Sequence, residues 1–387
     1  MAGADVEAAA GGVTAADRAP LPTVSTSLAS IDLQNGMGPG SWTGGKRLDK
    51  GVGIDWTWER GDKRLYRTRS AEHGLEAARL DRTETLLLRQ IAIAGAFWDL
   101  LAAQDRETDS AQMLRSAEQM AEAARRRLEK GDISEQEAAR VLIETERAKH
   151  DDATLRAAKR LAAVALAQAA AIATDQIEAE AGWPARSESS AHDMSQSAAT
   201  GSSGGLRTID ELINLRSDVR AARSRVDAAR SALDLARASQ VTDITWGGGF
   251  NHYPPEQRAS VQLRAQFPWQ LNYRFEGEIR QAVAGLQRAE ESLRQILITA
   301  ESELSALQLR RVTTAERLAG IEAQILGRSQ EVLDRAEAAY TRGATSLTDL
   351  LDARRTFRAV RLDAIQARLE AARADTEWRL RLGSTKP

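Results

Sequence analysis

Residues 51–59 read GVGIDWTWE, and apolar and polar side chains alternate along the whole stretch. Val52, Ile54, Trp56 and Trp58 fall on one face of an extended chain, and small, polar or acidic residues fall on the other. Alternation with a period of two is typical of a β-strand with one apolar face. This stretch therefore predicts a strand in a chain that is dominated by Ala, Leu, Arg and Glu.

Three further stretches alternate in the same way, although the first of them does so weakly. They are LPTVSTSLASID (21–32), VTDITWGGGFNHY (241–253) and SVQLRAQFPW (260–269). Their order predicts two β-hairpins, at 21–59 and 241–269. Four strands cannot close a barrel by themselves, and an open sheet of four strands has two unpaired edges.

The apolar faces of these strands are rich in tryptophan. Five of the eight Trp residues lie in or beside the hairpins: Trp42, Trp56, Trp58, Trp246 and Trp269. An apolar face with aromatic girdles opposite a polar face is typical of a membrane β-barrel, and strands of about 9–11 residues suit a tilted span. The alternation alone does not distinguish a membrane barrel from a small soluble sandwich or from a hairpin that caps helices. The predicted girdle comprises Trp56, Trp58, Trp246, Phe250, Phe267 and Trp269.

Long helices account for most of the remaining chain. They are predicted at about 62–128, from Gly131 to 176, at 208–239, at 275–341 and at 346–382. A helix of about 65 residues would extend for about 100 Å, which indicates coiled-coil packing. Residues 177–206 are rich in Ser, Gly and Ala and predict a flexible insertion.

The chain repeats internally. LEKGDIS (128–134) resembles YTRGATS (340–346), with the two glycines 212 residues apart. Residues 1–206 are predicted to form a first repeat, with a helix remnant, hairpin 21–59, a long helix, a tip turn near 131, a helix and insertion 177–206. Residues 207–387 form the second, with a helix, hairpin 241–269, a long helix, a tip turn near 343 and a final helix.

The short helix before the first hairpin suggests a chain that is clipped at its start. The first residues, MAGADVEAAAGG, show neither the basic nor the apolar region of a signal peptide. We expect that a clipped start accounts for the missing signal peptide.

Composition disfavours several functions. The 53 basic and 55 acidic residues give a net charge of −2, whereas nucleic-acid binders usually have a basic excess. The chain has no cysteine, and its four histidines are not at metal-ligand spacing, so no metal site or cofactor is predicted. No uninterrupted apolar run approaches the roughly 20 residues of a membrane helix.

Asp349 and Asp352 lie three residues apart behind the second tip turn, on one face of a predicted helix. A pair of carboxylates can serve acid/base chemistry, but no His, Cys or glycine-loop partner accompanies this pair, and we predict that the protein is not an enzyme. Acidic residues near a helix N-terminus are also favoured simply by the helix dipole. Each tip turn has a glycine that can end a helix and a serine that can cap the next one.

Four stretches resemble the TolC-like outer-membrane factor family, and within it the branch of cobalt-zinc-cadmium resistance proteins. They are ERGDKRLYRTRSAEHGLEAARLD (59–81), AIAGAFWDLLAAQDR (92–106), PWQLNYRFEGEIRQA (268–282) and YTRGATSLTDLLDARRTFRAVRLDAIQA (340–367). The resemblance implies a mainly α fold with a small β part. A homotrimer would close a twelve-strand membrane β-barrel in the bacterial outer membrane, and a long α-helical coiled-coil barrel would extend into the periplasm.

The resemblance also implies a function and partners. The channel would export heavy-metal cations. It would act with a periplasmic adaptor (membrane fusion) protein and an inner-membrane pump of the resistance-nodulation-division (RND) type. It would contact outer-membrane lipid and would not bind nucleic acid. The alternative is a soluble coiled-coil scaffold or a periplasmic adaptor. An adaptor would be expected to have one helical hairpin and a lipoyl-like domain.

Three sets of site residues follow from the resemblance. Asp349 and Asp352 are expected to line the narrow periplasmic opening, where three chains would bring six carboxylates together. Arg354, Arg355 and Arg358 are expected to pair with these aspartates or with a neighbouring helix and to hold the opening shut. The expected adaptor-docking tips are Gly131, Asp132, Ile133, Ser134, Gly343, Ala344, Thr345, Ser346 and Leu347.

Overall fold

The computed structural model describes residues 2–29, 48–173, 177–180, 182–184, 209–253, 257–270 and 273–383. Trp42 and most of the predicted insertion at 177–206 lie outside these residues. The described residues form long helices and one small antiparallel sheet, which confirms the predicted mainly α fold with four strands.

The elements follow one another in an order close to the predicted one. The first half contains α1 (Ala2–Ala16), β1 (Thr23–Ala29), β2 (Asp49–Trp58), α2 (Lys63–Glu129) and α3 (Glu135–Ala170). Next come α4 (Ile209–Leu215), α5 (Ser217–Ala238), β3 (Ile244–Tyr253) and β4 (Gln257–Gln266). The chain ends with α6 (Glu276–Gly320), a π-helix (Ile321–Leu326), α7 (Gly327–Thr341) and α8 (Leu347–Gly383).

The chain forms two compact units. The sheet unit consists of Met1–Glu84 and Asn214–Thr299, and the tip unit consists of Thr85–Ile213 and Ala300–Pro387. Each unit therefore draws on both predicted repeats, because each repeat contributes one hairpin to the sheet unit and one tip turn to the tip unit. The repeat boundary at 206 stays a prediction about sequence similarity.

The sheet has the strand order β1-β2-β3-β4, and all neighbours are antiparallel. Ile54 pairs with Val24, and Trp56 pairs with Trp246, so paired apolar residues share one face. The predicted hairpins are present. Strand β4 ends at Gln266, so Phe267 and Trp269 follow the strand instead of lying in it.

The two faces of the sheet differ as the alternation predicted. On the polar face, Arg264 Nη2 lies 2.6 Å from Asp55 Oδ1, with Gly247 between them in the register. The hydroxyls of Thr57 and Thr245 are 2.9 Å apart on the same face. The opposite face is formed by apolar side chains that stay about half exposed, among them Val52 and Ile54 of β2.

Two predicted helices differ from the observed ones. The helix expected at 208–239 breaks at Arg216, whose backbone is extended and whose buried guanidinium donates to Asp218 Oδ2 at 2.6 Å. The helix expected to reach 176 ends at Ala170, because Ala171 adopts the left-handed conformation (φ 56°) and caps the last turn. Both ends are set by local hydrogen bonds that helical periodicity does not reveal.

One core cluster of the tip unit lies between α2 and α8. Ala102 packs with Ile365 and Leu369, and Trp98 covers this cluster. Trp183 stacks on Trp98 with ring centroids 6.0 Å apart, and its indole N–H donates to Asp105 Oδ2 at 2.7 Å.

Helix α2 also contains an 18-residue window with a mean hydropathy of 1.5, which could cross a membrane by length and composition alone. A helix in the core of a protein passes the same test, so this window is weak evidence for a membrane helix. The sequence-based expectation concerned uninterrupted apolar runs and not windows that contain a few charged residues.

Candidate functional site

The two tip turns end their first helices in the same way. Gly131 has φ 76°, its N–H donates to the Leu128 carbonyl, and the Asp132 N–H donates to Arg127, both at 2.9 Å. This pair of bonds is a Schellman motif, which satisfies the last carbonyls of a helix. It therefore ends α2 and opens the turn to α3.

The turn between α7 and α8 repeats the motif. Gly343 has φ 73°, and its N–H donates to the Tyr340 carbonyl at 3.0 Å, while the Ala344 N–H donates to Ala339 at 2.9 Å. A Cβ atom added to Gly131 or Gly343 would meet nothing within 4 Å. The left-handed backbone, and not lack of space, favours glycine at both positions.

Both turns continue into a reciprocal cap of the next helix. In the first, the Glu137 N–H donates to Ser134 Oγ at 3.2 Å, and the Ser134 N–H donates to Glu137 Oε2 at 3.1 Å. In the second, the Asp349 N–H donates to Ser346 Oγ, and the Ser346 N–H donates to Asp349 Oδ2, both at 3.2 Å. Asp349 therefore caps α8 as Glu137 caps α3.

Asp349 receives two further hydrogen bonds. The hydroxyl of Ser346 donates to Oδ2 at 2.7 Å, and that of Thr345 donates at 3.0 Å. These bonds, with that of Ser346 the larger cause, hold the pKa of Asp349 below its ordinary value of 3.8. The carboxylate is thus held ionised at the start of α8.

Asp352 has a different setting. Its side chain is 67% exposed, and its neighbour is Arg355 Nη1 at 3.8 Å. Sequence reasoning treated the two aspartates as one pair, but only Asp349 caps the helix. The Ser-x-x-Asp spacing of Ser346 and Asp349 is the signal that could have separated them. Whether both line a channel opening stays a prediction.

The three candidate gate arginines contact neighbouring helices of the same chain. Arg354 Nη2 lies 2.7 Å from Glu337 Oε1 of α7 and donates to Ser116 Oγ of α2 at 2.8 Å. Arg358 Nη1 lies 2.6 Å from Asp151 of α3.

Arg355 pairs with Glu144 of α3 as well as with Asp352. Among the described residues, none of the three arginines forms an ion pair with Asp349. Pairing with a neighbouring helix was expected, but sequence spacing does not identify which residues of α2, α3 and α7 are the partners.

Leu347 is one of the residues expected to dock an adaptor, and that role stays a prediction. It is only 4% exposed, because it packs in a cluster with Ala121, Ala124 and Val141. Ile133 of the other turn packs against this cluster, and the guanidinium of Arg127 lies 5.2 Å from the ring centroid of Tyr340. The two tip turns therefore lie side by side.

The remaining tip residues keep a surface for contact. Ile133 and Thr345 are half-buried. The exposed ones are Gly131, Asp132, Ser134, Gly343, Ala344 and Ser346. A partner that binds the tips would therefore meet backbone and small polar side chains before apolar ones.

In the sheet unit, the predicted girdle residues are all exposed, by 51% to 77% of their surface. They are Trp56, Trp58, Trp246, Phe250, Phe267 and Trp269. The register places Trp56 beside Trp246, and the guanidinium of Arg60 lies 5.9 Å from the ring centroid of Trp58. A group of large exposed apolar side chains of this kind marks a surface for contact with protein or membrane.

Neither unit offers a metal centre in the part of the chain that the structure describes, since no three His, Cys, Asp or Glu side chains cluster there as ligands. The features on which a function can rest are the exposed acidic side chains at the tip turns and the exposed apolar face of the sheet.

Part of the chain is similar in sequence to a known protein family. Residues 208–384 match the family described as "Outer membrane efflux protein". No curated protein matches the chain by sequence. Residues 208–384 are thus similar to transport proteins and not to enzymes, which confirms the prediction that the protein is not an enzyme.

Several solved structures share the fold at low sequence identity. The outer-membrane channel OprN has a TM-score of 0.80 and 19% identity, over 99% of this chain and 86% of that one. CusC has a TM-score of 0.79 and 16% identity, over 99% and 88%. The outer membrane protein VceC of Vibrio cholerae has a TM-score of 0.77 and 17% identity, over 99% and 92%. At these identities the likeness establishes the fold.

Proposed function

We propose that the whole chain belongs to the outer membrane efflux protein family and forms one subunit of an outer-membrane efflux channel. The observation that carries the proposal is the exposed apolar face of the four-stranded sheet, opposite a face of Asp, Arg, Gln and Thr. Lipid favours the apolar face, and water in a pore favours the polar face.

The channel requires more than one copy of the chain. Strands β1 and β4 are the edges of the sheet, and a lipid environment cannot satisfy their free backbone groups. Three copies that pair β1 with β4 of the next subunit would close a barrel of about twelve strands, an even number as in bacterial membrane barrels. The protein would thus be a homotrimer in the bacterial outer membrane, with its helices in the periplasm.

The tip turns would then form the periplasmic end of the channel. Threefold symmetry would bring three copies of Asp349 and three of Asp352, which are both exposed, around one axis. A narrow pore screens such charges poorly. The pairs of Arg354, Arg355 and Arg358 with neighbouring helices would hold the helices in the closed arrangement. The exposed turn residues would contact a periplasmic adaptor, which links the channel to an inner-membrane RND pump.

The proposed cargo is a heavy-metal cation. It is supported by the resemblance of residues 340–367 to the cobalt-zinc-cadmium branch and by the acidic side chains beside the tip. Co-expression with candidate adaptors and pumps, scored as metal tolerance, tests the cargo. Unchanged tolerance to cobalt, zinc and cadmium beside increased tolerance to organic toxins would contradict the metal and leave the channel intact.

Membrane fractionation of the full-length gene product tests the channel. We expect the protein in the outer-membrane fraction, as a trimer that dissociates on heating before electrophoresis. A matched variant, Trp56→Asp, places a charge on the apolar face and should reduce the membrane-bound trimer strongly, whereas Thr57→Asp on the polar face should not. A soluble monomer from a correctly exported chain would contradict the proposal and favour a coiled-coil scaffold or an adaptor.

A further inference from the structure

The long helix that leads to the second tip turn contains a π-helix at Ile321–Leu326, between α6 and α7. Glycines flank it on both sides, Gly320 with φ −63° and Gly327 with φ −61°. Both values are ordinary helical ones, and a Cβ atom at either position would meet nothing within 4 Å. Neither backbone conformation nor space therefore requires glycine here.

The buried residues of this helix explain the position of the π-helix. Ala300, Leu304 and Leu307 are buried at steps of four and three, as in an ordinary α-helix. From Ile321, the next inward residues are Leu326, Ser329 and Leu333, so the first step is five. Ile325, which an α-helix would turn inward, is 48% exposed. A π-turn accommodates one extra residue in this way.

The corresponding part of α2 has no such interruption. Residues 109–114 lie at the same distance from Gly131 as the π-helix does from Gly343, and they are α-helical. Ser110, Ala121 and Ala124 are buried there at intervals that fit steps of three and four. The extra residue and its two glycines are therefore a feature of one long helix and not of the repeat.

The contacts with α8 differ on the two sides of the π-helix. On the α6 side, Arg311 Nε lies 3.0 Å from Asp375 Oδ1, and Arg317 Nη1 lies 2.9 Å from Glu370 Oε2. At the π-helix, Ile321 packs on Ala364 and Ala367 of α8.

On the α7 side, Leu333 packs with Ala353 and Phe357, and Glu337 pairs with Arg354. Helix α8 runs past all of these contacts without a break. It can therefore act as a fixed reference for movement of α7.

We propose that Gly320–Gly327 is a joint at which α7 and the second tip turn change their angle to α8 while α6 stays packed. Glycine weakens helical structure, and π-turns often mark functional sites in helices. Bending therefore concentrates at this segment. Movement would alter the Glu337–Arg354 and Leu333–Phe357 contacts first and leave the Arg311–Asp375 pair in place.

Distance measurements between spin labels test the joint in the full chain. The protein has no cysteine, so labels attach only to introduced ones. Gln308→Cys with Arg335→Cys spans the joint at exposed positions, and Ala92→Cys with Gln119→Cys spans the same number of residues within α2. Dilution with unlabelled protein removes distances between subunits. We expect the distance distribution across the joint to be at least about twice as broad as that in α2.

Deletion of Ile325 restores a step of four from Ile321 to the next inward residue. We expect this deletion to narrow the distribution across the joint to the width seen in α2. Equal widths in the undeleted chain, or a width that the deletion does not change, would overturn the proposal. The helical circular dichroism of each variant confirms that it is folded.

A second variant tests the proposed joint if the deletion variant does not fold. Gly320→Ala with Gly327→Ala keeps the length and the register, and it should slow amide hydrogen exchange at 321–327 on the order of 10-fold. Unchanged exchange would overturn the joint. In single-channel recordings the same variant should open less often, an outcome that rests on the proposed function. If the undeleted chain conducts no ions, the proposed function fails while the label distances and exchange rates still decide the joint.

Discussion

The two tip turns have the same backbone and different surroundings. Each ends a helix with a left-handed glycine and begins the next with a serine cap that is closed by an acidic residue. The first residue of α3 is the exposed Glu135, whereas the first residue of α8 is Leu347, which is buried in the cluster between the turns. The same turn geometry therefore begins α3 with an exposed side chain and begins α8 with a buried one.

The largest expected difference concerns these first helical residues. Leu347→Ala should destabilise the tip by about 3 kcal/mol, because it leaves a cavity beside Ala121 and Val141. Glu135→Ala should change stability by less than about 0.5 kcal/mol. Amide hydrogen exchange of the tip residues measures both. Equal effects of the two substitutions would show that the turns are anchored alike.

The two glycines should respond alike. Gly131→Ala and Gly343→Ala each force a side chain into the left-handed region, at a cost of about 1–2 kcal/mol. Exchange rates at the ends of α2 and α7 report the loss. A difference between the two variants greater than about 1 kcal/mol would contradict the equivalence of the turns.

The serine caps provide a smaller effect. Ser134→Ala and Ser346→Ala should each cost about 1 kcal/mol, measured as faster exchange in the first turns of α3 and α8. Ser346→Asn keeps a capping oxygen and should restore most of the loss. If Ser346→Asn were as damaging as Ser346→Ala, the hydroxyl would have a role other than capping.

The smallest effect separates the two aspartates by pH. The hydrogen bonds lower the pKa of Asp349 in the folded state, so the stability they contribute is present above its ordinary value of 3.8. That stability is lost as pH falls from 3.8 through the lower folded value.

The stability difference between the unchanged chain and Asp349→Asn should therefore shrink over this acidic range. Asp352→Asn alters only a surface ion pair and should change little at neutral pH. A pH-independent effect of Asp349→Asn would show that the ionised carboxylate does not stabilise the cap.

Much of the fold was predictable because it depends on local periodicity. The alternation in 51–59 gave β2 and its two faces, since side chains in a strand point to opposite sides in turn. Gly131 and Gly343 indicated the helix ends, because the left-handed backbone conformation that ends a helix favours glycine over residues with a side chain. The helices between these signals followed from their length and composition.

Other features depended on contacts between distant segments. The partners of Arg354 and Arg358 come from helices that are separated from them in sequence, and charge spacing along one helix does not identify them. The predicted uninterrupted helix at 275–341 overlooked the π-helix. The step of five between Ile321 and Leu326 was present in the sequence, but which of the nearby apolar residues turns inward is clear only from the packing.

The sequence alone determined the two-faced strands, the two capped tip turns and the long helices, because each depends on the conformational preferences of neighbouring residues. Only the tertiary structure decided that Leu347 is buried, that Asp349 and not Asp352 caps α8, and that α7 joins α6 through a π-helix. These outcomes depend on which helix faces pack together, and packing is fixed by side chains that lie far apart in the chain.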